Sequence, residues 1–129
     1  MPSLWRFPAH PASVARARQA VAEALPQRLR PCLGGDLRLL TSELLTNAIR
    51  HGARPEEDEV VELVLWPADG RYWLAVSEPG NGAPHVTHPA PDAETGRGLL
   101  LVDHLATAWT VRPRPTRGTS VIAGLRLPG

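Results

Sequence analysis

Apolar and polar residues along this chain fall into a succession of short periodic runs. Leu4 to Phe7 is a brief apolar run bounded by Pro8, which predicts an edge strand. A helix is expected from Val14 to Leu25, with Val14, Val21 and Leu25 along one side, Ser13 as its cap and Pro26 as its stop. Gly34-Gly35-Asp36 punctuates the chain next, and Asp36 is placed to cap a second helix from Leu37 to His51. Gly52 then sits where a left-handed residue would close that helix. Val60 to Trp66 and Tyr72 to Ser77 are rich in strand formers, and Pro67-Ala68-Asp69-Gly70 between them predicts a hairpin. A third helix is expected from Leu99 to Ala108, where Leu99, Val102 and Leu105 recur at helical spacing after Gly96-Arg97-Gly98. Two last strands, Trp109 to Arg112 and Ser120 to Leu127, flank a turn containing Gly118. The order predicts an α+β fold, a two-layer α/β sandwich with helices on one face of a mixed sheet.

Size and composition narrow this picture. The 129 residues suffice for a single domain spanning 1–129 with a two-layer core. Nothing approaches the roughly 20 consecutive apolar residues that a membrane span needs, and the start lacks a signal-peptide core, so the cytoplasm is the expected setting. Cys32 is the one cysteine, which excludes an internal disulfide and a cysteine-based zinc cluster. The formal net charge is +1, all fourteen basic residues are arginines, and they are scattered; direct nucleic-acid binding is not expected.

The stretch TSELLTNAIRHG, Thr41 to Gly52, sets Glu43, Asn47 and His51 four residues apart on one helix. With Glu43 at zero, Asn47 falls at about 40° and His51 at about 80°, while Leu40, Leu44 and Leu37 fall at about 60°, 100° and 120°. The polar column therefore runs along the edge of the apolar arc and drifts into it. Asn is a poor residue inside a helix, and partly buried Glu and Asn must find partners. Two readings are open: a boundary column satisfied by water and loop backbone, or a cation and phosphate site. Magnesium prefers oxygen ligands, so a carboxamide oxygen suits it, and a Glu one turn away could orient or deprotonate an attacking hydroxyl.

Three loops bear on that choice. Glu78-Pro79-Gly80-Asn81-Gly82 follows a strand; its glycines let backbone approach a flat ligand, and its carboxylate can accept from an exocyclic amine such as that of adenine. The long irregular segment from Pro79 to Thr95 has the length of a functional loop or a disordered one. Gly96-Arg97-Gly98 opens a helix, where free N–H groups and a guanidinium favour phosphate. Each loop is also readable as an ordinary turn or hinge.

Taken in order, Glu-x3-Asn-x3-His-Gly, acidic-x-Gly-x-Gly, Gly-x-Gly before a helix, and Gly118-Thr119 resemble the asparagine box and three glycine boxes of the GHKL ATPase superfamily. The stretches ELLTNAIRHG and GRGLLLVDHLA resemble most closely its stand-alone anti-sigma-factor serine kinases. The resemblance implies a Bergerat-type, histidine-kinase-like ATPase sandwich that binds Mg-ATP beneath a lid from Pro79 to Thr95. By the same resemblance Glu43 matches the general base and Asn47 the magnesium ligand, with Arg50 and His51 near phosphate. Gly80 and Gly82 would wall the adenine pocket, Gly96, Arg97 and Gly98 would hold phosphate, and Thr119 would lie on the adenine side. Implied partners are a sigma factor and an antagonist protein whose serine is phosphorylated, with a homodimer as the implied assembly. One position departs: the acidic residue that reads adenine is Asp in the family and Glu78 here, one methylene longer. The alternative function is therefore a non-catalytic regulator with weakened ATP binding.

Other constellations carry less. His85-x-x-His88 has metal-like spacing without a third ligand, and no Walker A sequence or dinucleotide fingerprint exists. Ser42, His51 and Asp103 could form a hydrolase triad on paper, but no nucleophile-elbow sequence supports it. Trp5, Trp66, Trp73 and Trp109 are expected as core and sheet-face residues.

Overall fold

The computed structural model describes residues 2–51, 59–78, 108–113 and 118–127. Strand β1 (Ser3–Pro8) leads to helix α1 (Ser13–Ala24), a 3-10 turn (Gln27–Leu29) and helix α2 (Arg30–His51). Strands β2 (Val60–Ala68), β3 (Arg71–Glu78), β4 (Ala108–Pro113) and β5 (Thr119–Arg126) follow. The sheet order is β1-β2-β3-β5-β4, so β1 is an edge strand as expected and β3 is central.

All four ladders are antiparallel, where the sequence suggested a mixed sheet. The helical layer supplies the reason. Arg18 in the middle of α1 meets Ser42 of α2, while Ala22 near its end borders Gly34 and Gly35, so the two helices run in opposite directions. Two opposed helical passes bring the chain back to the end of β1 that it left. Pro8 therefore pairs with Val60, and β2 runs against β1; a single helical crossover would have made them parallel.

α2 is longer than its sequence signals suggest. It begins at Arg30 and passes through Gly34-Gly35-Asp36, so Asp36 lies inside the helix instead of capping it. Leu33, Leu37, Leu40 and Leu44 are all buried and maintain a helical spacing across the glycines. A glycine inside a helix costs about 1 kcal/mol relative to alanine, whereas burying one leucine contributes about 2 kcal/mol, so packing overrides the local preference. Pro31 falls in the first turn, where its missing N–H is tolerated. At α1 the cap residue is Ala12, and Ser13 is the first helical residue; its hydroxyl donates to the Pro8 carbonyl at 2.8 Å, tying α1 to the end of β1.

The hairpin between β2 and β3 is tighter than the four residues expected. Pro67 and Ala68 remain in β2, opposite Tyr72 and Arg71, leaving a two-residue turn of Asp69 and Gly70. Both have positive φ, 53° and 71°, which is the type I′ geometry that matches strand twist. The last two strands match their expected positions to within a residue, with Gly118 at φ 89° before β5.

The core lies between the helices and one face of the sheet. Leu37, Leu40, Leu44 and Leu45 of α2 and Val21 of α1 pack with Val61, Leu63, Leu74 and Val76 of the sheet, all essentially inaccessible. The opposite face carries Trp66 and Trp73, directly across the hairpin, their rings stacked at 6.4 Å and 19°. The Trp73 indole N–H donates to the Ala68 carbonyl at 3.0 Å, and the Arg71 guanidinium lies over the ring at 5.8 Å. Gly124 faces Trp73 on β5, and a Cβ there would stand 2.9 Å from two ring carbons and 3.1 Å from Arg71 Cδ. Gly124→Ala should therefore destabilise the fold by about 1–3 kcal/mol, through overpacking against a rigid ring. Urea denaturation measures this; an unchanged midpoint would show that Trp73 shifts aside freely.

Candidate functional site

The rotation of α2 fixes what its edges present. Its buried arc, Leu37, Leu40, Thr41, Leu44 and Leu45, is turned to the core. Thr41 is the one polar member; it is fully buried and satisfied by donating to the Leu37 carbonyl at 2.7 Å. Ser42 lies on the edge facing α1, where its hydroxyl accepts from Arg18 at 3.5 Å. Glu43 and Asn47 occupy the other edge, away from α1, and both are half-buried. Neither side chain makes a hydrogen bond or ion pair among the described residues. Arg50 is exposed near the end of α2, and His51 is its last residue.

A polar pair also ends the helix-facing stripe of the sheet. Along β3 this stripe runs Leu74, Val76, Glu78, and along β5 it runs Ala123, Val121, Thr119. Glu78 pairs with Thr119 in the ladder, so apolar packing gives way to a carboxylate beside a hydroxyl at the same sheet end. Glu78 is buried, at 9% exposure, and its Oε2 has no accessible surface; Thr119 is half-buried. Burying a carboxylate is costly unless it is compensated, so this is an unusual position for Glu. On the opposite face the Ser77 and Ser120 hydroxyls meet at 2.6 Å and clamp the same strand ends. No local signal marks that clamp, because only the register sets Ser77 opposite Ser120.

Of the anticipated site residues, α2 carries Glu43, Asn47, Arg50 and His51, while β3 and β5 bring Glu78 and Thr119 together. Gly80, Gly82, Gly96, Arg97 and Gly98 lie outside the described residues, as do His85, His88, Asp103 and the third helix. Ser42 and His51 are nine residues apart on one helix, about 180° around it, so that helix does not bring them together as a triad requires. Among the described residues, no three His, Cys, Asp or Glu side chains cluster as metal ligands. No helix among them is long and apolar enough to cross a membrane.

One edge of α2 thus carries a half-buried carboxylate and carboxamide, and the helix-facing stripe of the sheet ends in Glu and Thr. The model of the histidine kinase-like ATPase domain matches residues 7–124, and the chain belongs to that family. It is 30% identical over 115 residues to proteins named anti-sigma F factor from two strains of Clostridium botulinum. Those alignments cover 81% of this chain and 80% of each relative. Among solved structures, the histidine kinase domain of the Erythrobacter litoralis blue-light activated histidine kinase superposes with a TM-score of 0.58 at 24% identity. A structure of that kinase itself superposes with a TM-score of 0.60, also at 24% identity. Both superpositions cover 94% of this chain but only 62% and 42% of the structures matched, and they show a shared fold.

If Asn47 is kept for a ligand and not for the fold, Asn47→Ala should be at least as stable as the parent. Alanine is the better helix former by about 0.6 kcal/mol, and no hydrogen bond within the described residues is lost. A loss above about 1 kcal/mol in chemical denaturation would instead make Asn47 a structural residue.

Proposed function

We propose that this protein binds ATP with magnesium, phosphorylates a serine of a small antagonist protein and sequesters a sigma factor. The observation that carries this reading is the pair Glu43 and Asn47, half-buried on the free edge of α2 in a histidine kinase-like ATPase chain. The sigma-factor part is supported by the relatives named anti-sigma F factor. We take residues 1–129 as one ATP-binding domain working in the cytoplasm as a homodimer.

The donor set fits the metal. Magnesium takes oxygen ligands and keeps several waters, so it needs few protein donors, and the Asn47 carboxamide oxygen would serve as one while Glu43 is left for the hydroxyl. When bound, Mg2+ would neutralise charge on the phosphate oxygens. The chain's own residues supply the rest. Glu43, one turn before Asn47, would orient the attacking serine hydroxyl and accept its proton as the oxygen–phosphorus bond forms. Arg50, His51 and Gly96-Arg97-Gly98 would grip phosphate, the arginines by paired N–H donors and the glycines through open backbone. Gly80 and Gly82 would wall the base, with Glu78 accepting from its exocyclic amine and Thr119 beside it. The proton from serine ends on the Glu43 carboxylate, and the leaving group is ADP.

A second reading rests on Glu78. Its carboxylate is buried and one methylene longer than the family's Asp, enough to crowd a close-fitting base. In that case the chain would be a non-catalytic regulator that keeps its partner surface with reduced ATP affinity.

Calorimetric titration with Mg-ATP distinguishes the two. Saturable binding that requires magnesium, disappears in Asn47→Ala and is absent with GTP supports the kinase reading. Glu43→Ala should keep binding and lose phosphotransfer by a factor on the order of 10²–10⁴, the usual contribution of a general base. Equal binding by the Asn47 variant and the parent overturns the assignment. Glu78→Asp should tighten ATP binding, and an affinity that stays the same or weakens would mean that the pocket is adapted to Glu. No binding by the parent at millimolar ATP favours the regulator.

A further inference from the structure

On the outer side of the helical layer, α1 and α2 leave an open groove of ≈ 780 Å³. Arg18 and Glu23 line it from α1, and Gly35, Arg38 and Leu39 from α2. A smaller hollow of ≈ 200 Å³ continues from it past Gly34 to Arg30. From Arg30 to Ser42 the groove follows α2 for about 18 Å, the length of three helical turns.

Gly35 is not explained by the fold. It sits inside α2 without positive φ, and a Cβ there would meet nothing within 4 Å. Neither backbone conformation nor packing asks for glycine, and the helix loses stability by having it. What the missing side chain does is keep the groove floor clear.

The groove's charges point to a ligand class. Arg38 is exposed and makes no hydrogen bond or ion pair among the described residues. Among the described residues Arg18 has only the 3.5 Å contact to Ser42. Arg30, by contrast, is committed to the fold, donating to the carbonyls of Glu23 at 2.8 Å and Leu25 at 3.3 Å at the end of α1. Leu39 adds an apolar side chain that is 41% exposed beside these cations. A nucleic acid needs a continuous basic track for its phosphates, which two arginines interrupted by Glu23 on a chain of net charge +1 do not form. A peptide, by contrast, can set its carboxylates at Arg18 and Arg38 and a neutral residue at Glu23.

We propose that this groove docks an acidic segment of a partner protein. Arg18 and Arg38 pair with its carboxylates, Leu39 meets an apolar side chain, and Gly35 lets its backbone settle between the helices. This assignment does not depend on the nucleotide site, and its test contains no nucleotide.

Cys32 provides the reporter, since it is the chain's sole cysteine, is exposed, and lies one turn from Gly35. The full chain, labelled there with an environment-sensitive fluorophore, is titrated with a peptide of about twelve residues, Glu-Glu-Leu-Ala repeated. The controls are its Lys-for-Glu counterpart and a thymidine oligonucleotide of equal length. The acidic peptide alone should bind saturably. Arg38→Glu should weaken it by about tenfold or more, as expected when a charge pair becomes a like-charge contact. Gly35→Gln should weaken it comparably while raising Tm, because it fills the groove and improves the helix. The proposal is overturned by no binding in the parent, by equal binding of either control, or by unchanged affinity in the Arg38 variant. A lowered Tm in Gly35→Gln would also overturn it, since glycine would then be required by the fold.

Discussion

The leucine face of α2 against the central strand is the contact on which the other features depend. Leu37, Leu40, Leu44 and Leu45 are inaccessible, and they meet Leu63, Leu74 and Val76 from the sheet. At roughly 2 kcal/mol for each fully buried leucine, this contact is strong enough to carry the helix through two glycines. It also fixes the rotation of α2 to within a fraction of a turn. Once that rotation is set, Ser42 must face α1, and Glu43 and Asn47 must fall on the opposite edge, half in and half out of the core. A helix turned by one residue would bury Glu43 or expose Leu44. Packing and site geometry are therefore the same constraint viewed from two sides.

The sheet performs a similar task at its end. Antiparallel pairing of β3 with β5 continues the apolar stripe to Val76 and Val121, then places Glu78 beside Thr119. The Ser77–Ser120 hydroxyl contact on the other face ties β3 to β5, and the Trp66–Trp73 stack further along ties β3 to β2. A one-residue slip would exchange the two faces, sending Glu78 to the outer surface and Ser77 to the core. The acidic position thus depends on a hairpin turn, Asp69-Gly70, at the far end of the same strand.

Family membership and site chemistry agree in direction. A histidine kinase-like ATPase domain requires a helix edge that presents oxygen donors to a phosphate and a strand end that presents an acceptor to a base. Under the proposed function, Glu43 and Asn47 would serve as the first and Glu78 as the second. The α1–α2 groove lies on the other side of α2, beyond Ser42, so one helix separates the proposed nucleotide edge from the proposed docking groove.

Much of this was legible in the chain itself. Strand alternation from Val60 to Ser77 and the Asp-Gly turn are local, so period and φ preference determined them. The column Glu43, Asn47, His51 was visible as well, because helix geometry turns a spacing of four into proximity. The course of α2 through Gly34-Gly35 was not legible, since local propensity favours a stop there and only the long-range burial of Leu33, Leu37 and Leu40 overrides it. The antiparallel pairing of β1 with β2 followed from two opposed helices whose packing no local signal records. The groove beside Gly35 and the meeting of Ser77 with Ser120 belong to the same kind: each joins residues more than ten positions apart. Sequence determined the periodic elements and the chemistry they carry, because those depend on neighbours along the chain. The tertiary structure alone decided which edges face each other, because that follows from how the buried faces fit.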